Sequence, residues 1–186
     1  MHLIETYALN CGLKIENPHI RLEEIELPIK KYITLHTHCE KGTARDYKYW
    51  NNVALELTAH LEFNFDIVHI GNLESQRIIG CNDKYLGKTN FHQLAYLIKH
   101  SELHLGYDSL PVHLASHFSK KMVVLYNAYS QHSYPYWSDP KDVELLEVDY
   151  RKEGKPSYSY SDPLDLMNKI DYMTVVSGVL KLLGRL

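Results

Sequence analysis

Cysteine is scarce: Cys11, Cys39 and Cys81 are the only three in 186 residues. They are odd in number, far apart and without metal-ligand spacing, which argues against a disulfide framework and suits a reducing cytosol. Buried small hydrophobes are the favoured role for all three. No run of lysine or arginine stands out, and a formal net charge of −3 gives no sign of a general nucleic-acid or membrane-surface binder. A small local basic cluster could still hold a diphosphate. No apolar run approaches the length of a membrane span, and Met1-His2-Leu3-Ile4-Glu5 lacks the basic and apolar regions of a signal peptide, so a cytoplasmic location is expected. No paired acidic motif for a divalent ion is present, and neither a metal nor another cofactor is expected. Repeats and low-complexity segments are absent.

What is there suits one globular domain with its own core, at 45% hydrophobic and 23% charged residues. Leu3, Ile4, Tyr7 and Ala8 have helical spacing, and Asn10-Cys11-Gly12 supplies a stop. The segment to Pro28 reads as an extended connector with an edge strand at Ile20 to Leu22. Residues 1–30 are thus expected to be a helix and connector, and 31–186 a single nucleotide-binding domain. Tyr32 to His36 and Asp66 to Gly71 read as strands, with an amphipathic helix from Trp50 between them through Val53, Ala54, Leu57 and Leu61. A short helix is expected around Ser75 to Ile79, then a loop over 81–90 with a minimal strand at Tyr85-Leu86, and a helix through Phe91, Leu94, Ala95 and Ile98. Met122 to Tyr126 is a strand covered on both faces. A loop over 127–141 carries Tyr129, Tyr134, Tyr136 and Trp137, Val143 to Val148 is a last strand, and a helix from about Leu164 presents Met173, Val176, Leu180 and Leu183 on one face. Such alternation implies an α/β fold, a Rossmann-like parallel sheet flanked by helices.

The organising stretch is residues 103–118. Leu103 to Gly106 reads as a short buried strand that turns at Tyr107 and Asp108 into a helix, with Asp108 or Ser109 as N-cap and Pro111 near the first helical position. Such a helix aims N–H groups and partial positive charge into the crevice above the sheet, where open α/β folds bind phosphate. His113 would lie one turn in, able to donate to an oxygen held there.

Asp108-Ser109-Leu110-Pro111-Val112-His113-Leu114-Ala115 resembles the D-[ST]-G-x-x-H-[LI]-A segment in the donor half of family 9 glycosyltransferases, the ADP-heptose:lipopolysaccharide heptosyltransferases. Thr43-Ala44-Arg45-Asp46-Tyr47-Lys48-Tyr49-Trp50 looks like that family's T-x-R-D-x-K-x-W loop, Gly71-Asn72-Leu73-Glu74 like its G-x-x-E, and Gly87-Lys88-Thr89 like its G-x-[TS]. The order of elements matches along the whole chain. The resemblance implies the C-terminal domain of a GT-B enzyme, with the chain beginning where the family's second half begins. It further implies a nucleoside diphosphate-sugar ligand, preferably ADP-linked, and an acceptor-binding half that supplies the general base for an inverting transfer.

The residue types support such a ligand. Lys48 is a mobile charge suited to a diphosphate and Thr43 can donate to the same oxygens, although a solvated loop lysine is the plainer alternative. Glu74 either accepts both ribose hydroxyls or is a carboxylate favoured by a helix N-terminus. Asp108 caps its helix, contacts ligand, or does both. Lys88, Thr89 and Ser109 join the ligand set through their motifs. Leu110 stands where the family has glycine, and its side chain would hinder close approach of a phosphate. His113 and His117 at i, i+4 lack the glutamate of a zinc-hydrolase motif. His36 and His38, beside Cys39, read as a polar rim, with metal binding a lesser alternative.

Three functions are compatible. The chain could be a donor half working with a separate acceptor-binding chain, or a non-catalytic binder that senses or sequesters an ADP-ribose-like nucleotide. It could also be an interaction protein using another surface, such as the aromatic loop around Trp137. A cleft that would face an absent half is also a natural place for a homodimer.

Overall fold

The computed structural model describes residues 1–37, 46–61, 65–73, 75–126, 130–148 and 166–186. Among them, five parallel strands form one sheet: β1 Lys31–His36, β2 Phe65–Ile70, β3 Leu103–Tyr107, β4 Lys121–Tyr126 and β5 Val143–Glu147, in the order β2-β1-β3-β4-β5. Every pairing is parallel, with Leu35 opposite both His69 and Leu105. Parallel strands need crossovers, and helices supply them: α2 Trp50–His60, α3 Phe91–His100 and α4 Leu110–His117. The chain also has α1 Leu3–Asn10 before the sheet, the four-residue α5 Ser130–Ser133, and α6 Tyr172–Leu182 at the end.

Alternation along the strands sends apolar residues to two cores. Ile33, Leu35, Leu103, Leu105, Val123 and Leu125 meet Val53, Ala54 and Leu57 of α2 and Val175, Val176 and Val179 of α6. On the opposite face, Val68, Ile70, Met122 and Val124 meet Ala95 and Ile98 of α3 and Val112 and Ala115 of α4. The central strands are therefore apolar on both sides, the pattern of a covered parallel sheet.

Several elements depart from expectation. Ile20 to Leu22 is not a strand; Ile20, Leu22, Ile25 and Leu27 instead pack as extended chain against the second core. No helix forms at 75–79, where Ser75 N–H closes a turn on the Asn72 carbonyl and Ile79 N–H donates to Asn51 Oδ1. The minimal strand falls at Asn82, bridging Val68, while Tyr85-Leu86 lies in a turn. In α6, Met173 is exposed, and Val175, Val179 and Leu182 join Val176 and Leu180 in the buried face. Cys11 is exposed at the end of α1 rather than buried, Cys81 is half-buried, and Cys39 lies outside the described residues. The helical stop after α1 does form: Gly12 takes φ +65°, and Leu13 N–H returns to the Ala8 carbonyl.

The aromatic loop is in part covered by the chain's own N-terminus. His2 lies edge-on to Tyr134, with ring centroids 4.7 Å apart, and its Nε2 is 2.9 Å from the Tyr134 carbonyl. Tyr136 donates its hydroxyl to Glu5 Oε1 at 3.2 Å, and Trp137 N–H donates to Ser116 Oγ. Tyr129 lies outside the described residues.

Candidate functional site at the carboxyl edge of the sheet

In the order β2-β1-β3-β4-β5 the connections leave β1 and β3 in opposite directions, opening a crevice beyond their carboxyl ends. Three features build that edge. Thr37 follows β1, Gly71 follows β2, and Asp108-Ser109 follows β3.

The β3 end is the most heavily bonded. Ser109 is the N-cap of α4 by backbone geometry, yet its side chain does not cap the helix. Its hydroxyl donates to the Tyr107 carbonyl at 3.2 Å and lies 3.1 Å from His36 Nδ1, which joins the ends of β1 and β3. Asp108 is not the cap. Its Oδ2 accepts from Ser133 Oγ at 2.9 Å, and its Oδ1 lies 3.5 Å from His113 Nε2. Asp108 and His113 are thus brought together, with His113 38% exposed toward solvent. The first turn of α4 offers fewer amides than the sequence suggested. Pro111 has none and Val112 N–H donates back to the Ser109 carbonyl, so Leu110 N–H is the first-turn donor left without an intrahelical partner by helix geometry. Leu110 itself is 51% exposed at the helix start.

Tyr107 anchors the loop that carries Lys48. Its hydroxyl oxygen accepts from Tyr47 N–H at 3.1 Å and from Trp50 Nε1–H at 2.6 Å. Tyr47 in turn donates to the Ile170 carbonyl, and burial raises its phenol above the usual range. Lys48 follows directly, exposed, with its N–H on Asn168 Oδ1 and its ammonium 5.1 Å from the centre of the Tyr49 ring. Gly87-Lys88-Thr89 reaches the same edge because Gly87 N–H donates to the Gly71 carbonyl just beyond β2. Gly87 has φ +66°, and a Cβ there would lie 2.4 Å from the Leu73 side chain, so glycine is required. Lys88 is exposed and Thr89 half-buried. Thr43 and Glu74 lie outside the described residues, as does His38.

The sequence reading missed the buried polar groups behind this edge. His104 of β3 is fully buried, its Nδ1 2.9 Å from Thr34 Oγ1. Burial, with His36 nearby, pushes its pKa down to about 3. Among the described residues its Nε2 has no hydrogen-bond partner, and it sits over Gly106, where an added Cβ would lie 3.2 Å from it and 3.0 Å from the His36 carbonyl oxygen. His69 of β2 is also fully buried, between Thr37 and Asp83. A histidine inside an otherwise apolar strand, as in Leu103-His104-Leu105 and Val68-His69-Ile70, was the available signal. Among the described residues no group of three or more His, Cys, Asp or Glu side chains is placed to hold a metal ion. His117 instead lies 2.8 Å from Asn17 Oδ1.

Residues 72–160 match the model of glycosyltransferase family 9, the heptosyltransferases. The chain has a family 9 heptosyltransferase-like fold. Solved structures share this fold across nearly the whole length of the chain. A family 9 glycosyl transferase from Veillonella parvula is 14% identical with a TM-score of 0.59, covering 98% of this chain and 51% of that one. ADP-heptose lipopolysaccharide heptosyltransferase II of Escherichia coli is 16% identical with a TM-score of 0.60, covering 97% and 51%. The dodecameric, iron-containing glycosyltransferase TibC of enterotoxigenic Escherichia coli gives 14% and 0.65, covering 98% and 53%. The chain therefore spans about half the length of these enzymes. It is also 28% identical to the uncharacterized membrane protein YobI of Bacillus subtilis, over 67% of this chain and 12% of that protein. Among its own described residues, no helix is long and apolar enough to cross a membrane.

Proposed function

We propose that this domain binds a nucleoside diphosphate-sugar, preferably ADP-linked, as the donor half of a glycosyl transfer. The observation that carries the reading is the start of α4 at the carboxyl end of β3, with Asp108, Ser109 and His113 beside the crevice between β1 and β3. A diphosphate seated there would meet Leu110 N–H and the positive end of α4, with His113 able to donate from one turn in. Lys48, on the loop held by Tyr107, would supply the mobile cation, and Lys88 a second. Thr43, Thr89 and Glu74 complete the ligand set that the family motifs suggest, Glu74 for the ribose hydroxyls. TibC has been solved in complex with ADP-D-β-D-heptose, which supports the adenine preference. In transfer, these groups would stabilise charge as the sugar–phosphate bond breaks. The acceptor and the general base would come from an acceptor-binding domain, a separate chain or a homodimer mate.

Leu110 favours a second reading. An exposed side chain at the first helical position, where the family motif has glycine, crowds the approach of a phosphate. A domain that holds an ADP-ribose-like nucleotide without transferring sugar tolerates such a change better than a catalyst does.

Calorimetric titration with ADP, UDP, GDP, an ADP-sugar and ADP-ribose tests both, with Lys48→Ala as the control. Binding of one ligand that Lys48→Ala weakens at least tenfold supports the pocket. Sugar transfer on addition of an acceptor-binding protein supports the donor half over the non-catalytic binder. No binding at millimolar concentration overturns both.

A further inference from the structure

Asp83, His69 and Thr37 form a chain of hydrogen bonds that ends at Thr37, the residue after β1 at the carboxyl edge of the sheet. They come from three separate stretches: Thr37 follows β1, His69 lies near the end of β2, and Asp83 follows the Asn82 bridge at the sheet's edge. His69 Nδ1 is 3.2 Å from Asp83 Oδ1, and His69 Nε2 is 2.8 Å from Thr37 Oγ1. His69 is wholly buried, Asp83 is 25% exposed, and Thr37 is half-buried. Arg77 Nε lies 3.8 Å from the other oxygen of Asp83, an exposed ion pair.

The donors and acceptors in this chain can be assigned from one end. A carboxylate only accepts, so His69 must present N–H at Nδ1. Burial lowers the pKa of His69 although Asp83 opposes the shift, and a neutral ring with its proton on Nδ1 has a bare lone pair on Nε2. Thr37 must then donate its only hydroxyl proton inward to Nε2. What remains of Thr37 Oγ1 is lone pair. An ordinary surface threonine rotates its hydroxyl to donate or accept as the partner requires; this one has that freedom removed.

We propose that the Asp83–His69 pair locks Thr37 as a hydrogen-bond acceptor facing the crevice, where it selects a ligand hydroxyl of the ribose or sugar type. This rests on the nucleotide-sugar reading above for its ligand but not for its geometry. A phosphate oxygen, itself only an acceptor, is disfavoured at Thr37, so the relay separates the hydroxyl-bearing part of a ligand from the diphosphate placed at α4. The same three residue types form hydrolytic triads, in which the histidine later protonates a leaving group. His69 has no exposure through which to reach one. Thr37 is accordingly a binding residue, with His69 and Asp83 positioning it.

Nitrogen-15 NMR of the imidazole rings in the intact, ligand-free protein reads the lock directly. The expected result is a neutral His69 with Nδ1 protonated and Nε2 bare, and loss of that single tautomer in Asp83→Ala. Protonation at Nε2 in the wild type would overturn the proposal. ADP-ribose titration supplies the second arm: Thr37→Val and Asp83→Ala should each weaken binding about threefold to tenfold, while Thr37→Ser restores it. Unchanged affinity in Thr37→Val, with the tautomer as expected, contradicts the ligand role while sparing the lock. If the wild type binds none of the nucleotides, the nucleotide-sugar reading fails along with that ligand role, and the NMR result alone decides the polarity of Thr37.

Discussion

His104 carries a buried ring whose charged form the fold does not tolerate, and this sets a pH dependence. Its pKa is pushed down to about 3 in the folded chain, against about 6.5 when unfolded. The unfolded state therefore binds more protons between those values, and stability falls as pH drops through 6.5 toward 3. Between pH 7 and 5 the loss expected from His104 alone is about 2 kcal/mol, with His69 adding to it in the same direction. Urea denaturation at the two pH values checks this. A Thr34→Val, His104→Leu double variant, which removes both partners together, should flatten the dependence. Tyr107 gives a second expectation. Replacing it with Phe leaves Tyr47 N–H and Trp50 Nε1–H without their acceptor, at a cost of about 2–4 kcal/mol, read as a lower Tm. These roles were not legible in the sequence. Thr34 meets His104 across 70 positions and Trp50 meets Tyr107 across 57, and no local pattern reports a partner that far away.

The strands and the long helices were legible because their side chains obey one period each. Tyr32 to His36 and Met122 to Tyr126 are apolar runs bounded by lysine or loop, and both proved to be strands buried on two faces. The segment 75–79 failed for the opposite reason: its backbone groups bond to Asn72 and Asn51 rather than to one another. In α4 the misreading was finer. Strand, turn and helix fall where expected, but Ser109 spends its hydroxyl on Tyr107 and His36 instead of capping. Leu110→Gly is expected to strengthen ADP-ribose binding severalfold by opening the first turn, with a stability cost of about 1 kcal/mol; calorimetry and thermal melting read the two effects. Gly106→Ala should act in the other direction. Its Cβ would press on the His36 carbonyl and the His104 ring, prising β1 from β3 at the crevice, with a loss of about 1–3 kcal/mol that denaturant melts would show.

For the molecule as a whole, the parallel sheet gathers at one edge residues that the sequence scatters from Thr37 to His113. Topology made part of that gathering readable: once strands alternate with helices, the carboxyl ends share an edge and the loops after them hold the site. Lys48 and Asp108 were placed at that edge by that route, whereas the neighbours of each had to come from packing. The N-terminal helix belongs to the same edge. His2 both caps α1 and bonds to the Tyr134 carbonyl, and Glu5 takes the Tyr136 hydroxyl, so the aromatic loop is partly occupied within the chain. His2→Ala should release α1 at a cost of about 1 kcal/mol, seen as faster amide exchange across residues 3–10 and little change in the sheet.

The deciding measurement is ADP-ribose and ADP-sugar titration of the intact protein beside Lys48→Ala and His113→Ala. A nucleotide-binding crevice requires saturable binding by the wild type and at least tenfold weaker binding by each variant. Equal affinity in all three proteins, or no binding in any, would contradict it and move the function of this fold to another surface.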